Sequence, residues 1–283
     1  MEALFLPPAP GPVDGARFAM LHRPAGEIRG MVVYVHPFAE EMNKSRRMAA
    51  MTARALADRG LAVLLPDLLG CGDSPGDFGD AGWATWVDDI VQASRWLRQN
   101  VGHPVPLTLW GLRAGALLAA EAAARLGDVQ RLLLWQPSIS GKTVLQQFLR
   151  LQVAGDMLGG DKRAAADTPK ARLAAGHPVD LAGYRIAPAL ASGLDQARLL
   201  PVAGVRQVHW LETSSRENAS LTPAAADAMQ AWQQAGCEVQ AQVITGPAFW
   251  QTTAIEDAPG LIAATVAALA ARLPACVPQA VAA

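Results

Sequence analysis

The sequence predicts an α/β fold: a mostly parallel sheet of eight strands, helices on both of its faces, and a helical insertion past its middle. Three observations predict it. Short apolar runs rich in β-branched residues alternate with longer segments of helical period. The strands after the second pair are apolar along most of their length, the pattern of strands covered on both faces. One long stretch, from about Ser138 to about Leu200, carries helical patches but no convincing sheet strand, although sheet strands flank it.

Taken in order, the first strands are EALFLPP (2–8) and ARFAMLHRP (16–24), separated by a Pro/Gly turn as in an antiparallel hairpin. Next come GMVVYVH (30–36), LAVLLPD (61–67), LTLWG (107–111), RLLLWQP (131–137), VRQVHWLE (205–212) and EVQAQVIT (238–245). Helical or irregular sequence follows each of these, as parallel βαβ units require. The helices are KSRRMAAMTARALADRG (44–60), WATWVDDIVQASRWLRQNV (83–101), AGALLAAEAAARLG (114–127), TPAAADAMQAWQQAG (222–236) and PGLIAATVAALAARL (259–273). In the first helix Met48, Met51 and Ala55 share a side and Gly60 ends it. Residues 1–137 and 201–283 thus form one core, and 138–200, with VLQQFLRLQVAGDML among its helical patches, reads as a cap over the carboxyl ends of the strands.

Bulk properties narrow the function classes. Net charge is −1 with no long Lys/Arg run, which argues against nucleic acid as a partner. The three cysteines, Cys71, Cys237 and Cys276, are far apart and show no C-x-x-C spacing, so neither a zinc site nor a disulfide framework is expected. No cofactor or metal motif is present. The N-terminal segment carries Glu2, several prolines and no basic stretch, unlike a secretory signal, and no apolar run reaches the roughly 20 residues of a membrane span. A cytoplasmic location is the expectation.

The chemistry concentrates at WGLRAG (110–115), where a strand passes sharply into a helix between Gly111 and Gly115. Eight strands, a cap and this glycine-flanked turn resemble the α/β-hydrolase fold, over nearly the whole chain. In that fold the turn is G-x-S-x-G and presents a nucleophilic serine. Here Arg113 stands at the serine position, and a guanidinium is no nucleophile. The last histidine is His209, ahead of the final strand, whereas the fold's catalytic histidine follows it. The turn TGPAFW (245–250) resembles the family's G-x-x-H with Phe249 at the histidine, and the acid loop offers Glu212 and Glu217 but no aspartate. A Ser-His-Asp mechanism is therefore not expected.

Two loops keep the family's form. YVHPFAEEMNKSRR (34–47) resembles the H-G-x loop, which implies an oxyanion hole from N–H groups near Phe38 and that of Ala114. DLLGCGDSPG (67–76) resembles the D-x-x-G-x-G-x-S loop. More narrowly, HPFAEEMNKSRR, DLLGCGDS, WGLRAGALLA and LLWQP together resemble the second of two hydrolase-like bacterial families associated with exosortase A systems, found with exopolysaccharide and protein-sorting genes. Arg113 suggests a small anionic ligand; beside it, an acyl or glycan ligand, or a protein partner from the exopolysaccharide machinery, is the expectation. The resemblance brings no established substrate.

Several residues have two readings. Arg113 either pairs with a buried acid (Glu40, Glu41 or Asp67) or binds the acidic group of a ligand at a helix start, in a pocket that includes Phe38, Glu41, Asp73, Ala114, Phe249 and Trp250. His36 with Glu40 is either an acid/base group or a histidine that braces its loop. Cys71 is a nucleophile candidate if His36 and Asp73 flank it, and otherwise belongs to a structural turn. With His36, Glu40 and Cys71, an atypical hydrolase or acyltransferase acting on an ester, thioester or glycan-linked acyl group is the alternative. Lys44, Arg46 and Arg47 read as a solvated helix face, and Trp110, Trp135 and Trp250 as core.

Overall fold

A computed structural model describes residues 1–8, 13–159 and 168–270. The main sheet contains β1 (Glu2–Leu6), β2 (Arg17–His22), β3 (Gly30–Val35), β4 (Leu61–Pro66), β5 (Leu107–Leu112), β6 (Arg131–Trp135), β9 (Gln207–Ser214) and β10 (Glu238–Thr245). Their order is β1-β2-β4-β3-β5-β6-β9-β10, so all eight expected strands form one sheet. β2 pairs antiparallel with β1 and β4, and every other pairing is parallel. β3 pairs with both β4 and β5, so the chain winds first to one side and then to the other. The carboxyl ends of β3 and β5 therefore flank the topological switch point, where open α/β sheets leave a crevice.

Strand alternation builds two cores. Val32 and Tyr34 of β3 belong to the cluster with Met48, Ala53 and Leu56 of α1 (Glu40–Ala57) and Leu261 and Leu269 of α8 (Pro259–Ala270). Met31, Val33 and Val35 belong to the other cluster, with Val87 and Ile90 of α2 (Trp83–Val101), Leu117 of α3 (Gly115–Leu126) and Trp232 of α7 (Pro223–Gln234). A strand with period 2 must be apolar at every position to serve both layers, and β3 is buried throughout. β10, at the sheet edge, is mostly exposed and correspondingly polar. The last three residues of the expected final helix, 271–273, and Cys276 lie outside the described residues.

Helix α1 starts at Glu40, four residues before the expected Lys44. Glu40 and Glu41 thus occupy its first turn, where carboxylates meet the positive end of the helix dipole. Its buried stripe is Met42, Ser45, Met48, Ala49, Thr52, Ala53, Leu56 and Ala57, while Met51 and Ala55 are half-buried at its margin. Between β6 and β9 the chain forms α4 (Gly141–Gly159), α5 (Pro169–Ala174), a two-stranded antiparallel ribbon of β7 (Val179–Leu181) and β8 (Tyr184–Ile186), and α6 (Pro188–Gln196). The ribbon was not expected; its strands of three residues are too short for a period-2 pattern to register. None of these elements joins the main sheet. Edge-to-face rings join this segment to the core: Phe148 lies 5.2 Å from Phe38, and Tyr184 lies 4.9 Å from Phe78.

Candidate functional site

The strand-to-helix turn keeps the geometry its glycines suggest. A Cβ on Gly111 would fall 2.6 Å from Ala116 backbone atoms, and one on Gly115 would fall 2.2 Å from Val35 O and 2.7 Å from His36 O. The turn and the end of β3 thus touch backbone to backbone, a contact only glycine permits. Between the glycines Arg113 holds a φ of 55°, a strained value for a side-chain-bearing residue. Both of its backbone groups are satisfied: its N–H donates to Trp135 O at 3.0 Å, and its carbonyl accepts from Ala116 at 3.1 Å and Ser138 at 3.1 Å. A second strained residue faces the same switch point, Ala39 at φ 51° and ψ −128°. Ala39→Gly is expected to raise stability by about 0.5–1 kcal/mol, because relief of the strained φ exceeds the added freedom of the unfolded chain. Thermal denaturation checks this: a rise of about 1–3 °C is expected, and a fall would contradict it.

Arg113 reaches into a cleft of about 310 Å³ lined by Phe38, Glu40, Glu41, Lys44, Val144, Gln147, Phe148, Trp250 and Gln251. Its Nε donates to Glu41 Oε1 at 3.3 Å, its only side-chain hydrogen bond among the described residues. The pair is largely buried, at 18% and 14% side-chain exposure. Burial pushes the Glu41 carboxyl above its ordinary range, and Glu40 adds to the rise, whereas Arg113 and the Gln251 side chain oppose it. The guanidinium carbon lies 5.9 Å from the Trp250 ring centroid, within cation–π range. Glu40 Oε2 and Trp250 Nε1 are buried and have no hydrogen-bond partner among the described residues. The backbone N–H groups of Phe38 and Ala114 likewise have no backbone acceptor among them.

The turn after β10 carries Phe249 into the interior rather than presenting a base. Phe249 is edge-on to Trp250 at 5.0 Å and to Trp135 at 6.0 Å, and Trp135 stands 4.6 Å from Trp110, which meets Tyr34 at 4.5 Å. This aromatic ladder fills the layer under α1 and α8, and Trp135 Nε1 donates to Thr265 Oγ1 at 2.9 Å. Trp250 is buried like the rest but also walls the cleft. Lys44, Arg46 and Arg47 of α1 are exposed, as expected of a solvated face, but each also has a partner. Lys44 Nζ donates to Gln251 O at 3.2 Å, Arg47 binds Asp257 through two bonds of 2.8 and 2.9 Å, and Arg46 binds Asp67 at 3.0 Å. Two of the three therefore tie down the segment that carries Phe249 and Trp250.

The other sequence candidates stand apart from the cleft. His36 is buried; its Nδ1–H donates to Pro37 O at 2.9 Å, and burial lowers its pKa. Cys71 is buried in the turn after β4, where burial and then the nearby Asp67 push its thiol up, away from the reactive thiolate. Asp73 is exposed and its N–H donates to Asp67 Oδ2 at 3.0 Å, so this turn is a scaffold. Arg17 and Asp89 brace it from below through a buried 2.9 Å pair, with Asp89 Oδ2 accepting from Leu69 N–H. Glu212 accepts from Trp210 Nε1 at 2.7 Å, and Glu217 is exposed. Sequence reasoning missed Val144, Gln147, Phe148 and Gln251 as cleft residues. The first three come from α4, whose position over the switch point has no local signal. Among the described residues no group of three or more His, Cys, Asp or Glu side chains is placed to hold a metal, and no helix is long and apolar enough to cross a membrane.

The sequence model of the family described as serine aminopeptidase, S33, matches residues 26–162, a little under half of the chain. No curated protein matches the sequence. Among solved structures, Est1E from Butyrivibrio proteoclasticus with ferulic acid bound is similar at 18% identity, TM-score 0.59, over 81% of this chain and 87% of that one. A carboxyl esterase from Bacillus coagulans in complex with glycerol is similar at 17% identity, TM-score 0.61, over 87% and 90%. An α/β serine hydrolase without a lid from Xanthomonas campestris is similar at 17% identity, TM-score 0.58, over 98% and 96%. Likeness at this level of identity shows the fold alone.

Proposed function

We propose that this chain, which has the α/β-hydrolase fold, uses its former nucleophile pocket to bind a small carboxylate or acyl-derived anion and does not hydrolyse it. The observation that carries this reading is Arg113 itself. A permanent cation occupies the strained turn where the fold exposes a nucleophile, opens into a cleft, and spends one of its five N–H groups on Glu41. The N–H groups of Phe38 and Ala114, without a backbone acceptor among the described residues, support it, since α3 begins at this point and its dipole favours an anion there. Phe249, packed into the ladder, leaves the turn after β10 without a base. Residues 138–200, as the cap, would cover the cleft through α4. The narrower resemblance to an exosortase-associated family supports a ligand or partner belonging to exopolysaccharide production, in cytoplasmic steps on this reading. The alternative of an acyl-transferring enzyme built on His36 or Cys71 finds less support, because neither residue lines the cleft.

The titration of Glu41 provides the test. A raised carboxyl pKa means that Glu41 gains its proton at a higher pH than a free glutamate, and the neutral acid then releases Arg113 for a ligand. Anion binding should therefore strengthen as pH falls. Ferulate, which Est1E holds in the same fold, and benzenesulfonate, ionised throughout the range, are suitable probes. Calorimetry over a descending pH series is expected to show benzenesulfonate binding more tightly as Glu41 takes up its proton, a dependence lost in Glu41→Gln. Ferulate is expected to bind with no turnover of p-nitrophenyl esters. Absence of binding by both probes, or ester turnover in the unaltered protein, would remove the reading.

A further inference from the structure

The cleft holds more than an anion site. Glu40 and Glu41 stand against Lys44 and Arg113, so the formal charges of its lining cancel. A simple anion would gain Arg113 but would bring a third negative charge beside two carboxylates. The unpaired atoms point the same way. Among the described residues Trp250 Nε1, on a residue only 4% exposed, is a donor without an acceptor, and Glu40 Oε2 is an acceptor without a donor. Both residues line the one cleft, and buried polar atoms of native proteins find partners. A ligand that completes both must carry an acceptor and a donor together. Of the remaining lining, Phe38, Phe148 and Val144 are apolar while Gln147 and Gln251 are polar and uncharged, and about 310 Å³ lies at the small end of ligand pockets.

We infer that the cleft binds a small zwitterion, its carboxylate on Arg113 and Trp250 Nε1, its ammonium on Glu40, and an apolar side chain against Phe38 and Phe148. A free α-amino acid with an aliphatic or aromatic side chain fits that description. The inference rests on the anion-site reading of Arg113 and adds the ammonium subsite at Glu40. Carboxylate–guanidinium and ammonium–carboxylate contacts are charge-assisted, the stronger class of hydrogen bond.

Calorimetry with four ligands sharing one ring separates the two. L-Phenylalanine carries both charges, 3-phenylpropionate lacks the ammonium, phenethylamine lacks the carboxylate, and 3-phenyllactate replaces the ammonium by a neutral hydroxyl. Phenylalanine is expected to bind at least tenfold more tightly than any of the other three. In Glu40→Gln that preference over phenylpropionate should vanish while phenylpropionate itself binds no more weakly. Phenylpropionate or phenyllactate equalling phenylalanine on the unaltered protein would overturn the inference and leave the anion site standing. Phenylpropionate binding unchanged by Arg113→Ala would overturn both. The comparison among ligands on the unaltered protein decides the matter even if Glu40→Gln fails to fold.

Discussion

Gly115→Ala is expected to cost about 3–5 kcal/mol, the largest stability loss of any single methyl added to this chain's elbow. The new Cβ would meet Val35 O at 2.2 Å, Val35 C at 2.9 Å and His36 O at 2.7 Å, all backbone atoms. A flexible side chain could swing away from such a contact, but these are backbone atoms at the end of a central strand, where Val35 pairs with Gly111 of β5 and His36 follows directly. Relief would require α3 to draw back from β3, opening the dense layer that holds Leu117, Val35 and Phe38. Overpacking usually costs 1–3 kcal/mol, and the immobility of this wall places the substitution above that range. Since domains are stable by roughly 5–15 kcal/mol, a large part of the total is at stake. Denaturant unfolding measures it, with Gly26→Ala as the control: no atom lies within 4 Å of its added methyl, so it should stay within about 0.5 kcal/mol of the parent. A Gly115→Ala protein as stable as the control would mean that the elbow and the end of β3 are not in backbone contact.

That contact also marks how far the sequence could be read. WGLRAG announced the turn, and the eight apolar runs announced the strands, because both signals are local: steric need at a glycine and a two-residue period along a strand. What escaped reading depends on residues distant in sequence. Glu40, Glu41 and Asp67 were legible as acids for Arg113, but that Glu41 is the one bonded to it depends on α1 beginning at Glu40. Arg17 and Asp89 are 72 positions apart, and nothing near either predicts a buried pair that steadies the turn carrying Cys71. Lys44 and Arg47 are exposed as read, but their partners, Gln251 and Asp257, lie 207 and 210 residues away and leave no local signal. Arg113 in the elbow and Phe249 in the turn after β10 could be read directly, since each is a matter of residue identity; that an aromatic ladder packs around Phe249 is a matter of packing.

Arg113→Ser should not create an esterase, although it returns the fold's own nucleophile type to the elbow. A serine hydroxyl needs a neighbouring base to lose its proton during attack. His36 is committed to Pro37 O, buried, and held toward its neutral form, and it does not line the cleft. Phe249 fills the turn from which a base would reach, with its ring packed on Trp135 and Trp250. Hydrolysis of p-nitrophenyl acetate by Arg113→Ser is therefore expected to equal that of Arg113→Ala, at the uncatalysed background. Both variants should bind ferulate at least about thirtyfold more weakly, roughly 2 kcal/mol, the worth of a charge-assisted pair in a largely buried site. Both also strand Glu41 without its cation, at a cost of about 1–2 kcal/mol because the pair is partly exposed. Adding Glu41→Gln to either should recover that stability but none of the binding, a separation a double-mutant cycle resolves. Esterase activity appearing in Arg113→Ser alone would show that a functional base stands within reach of the elbow, and the binding-protein reading would give way to that of an enzyme held inactive by one residue.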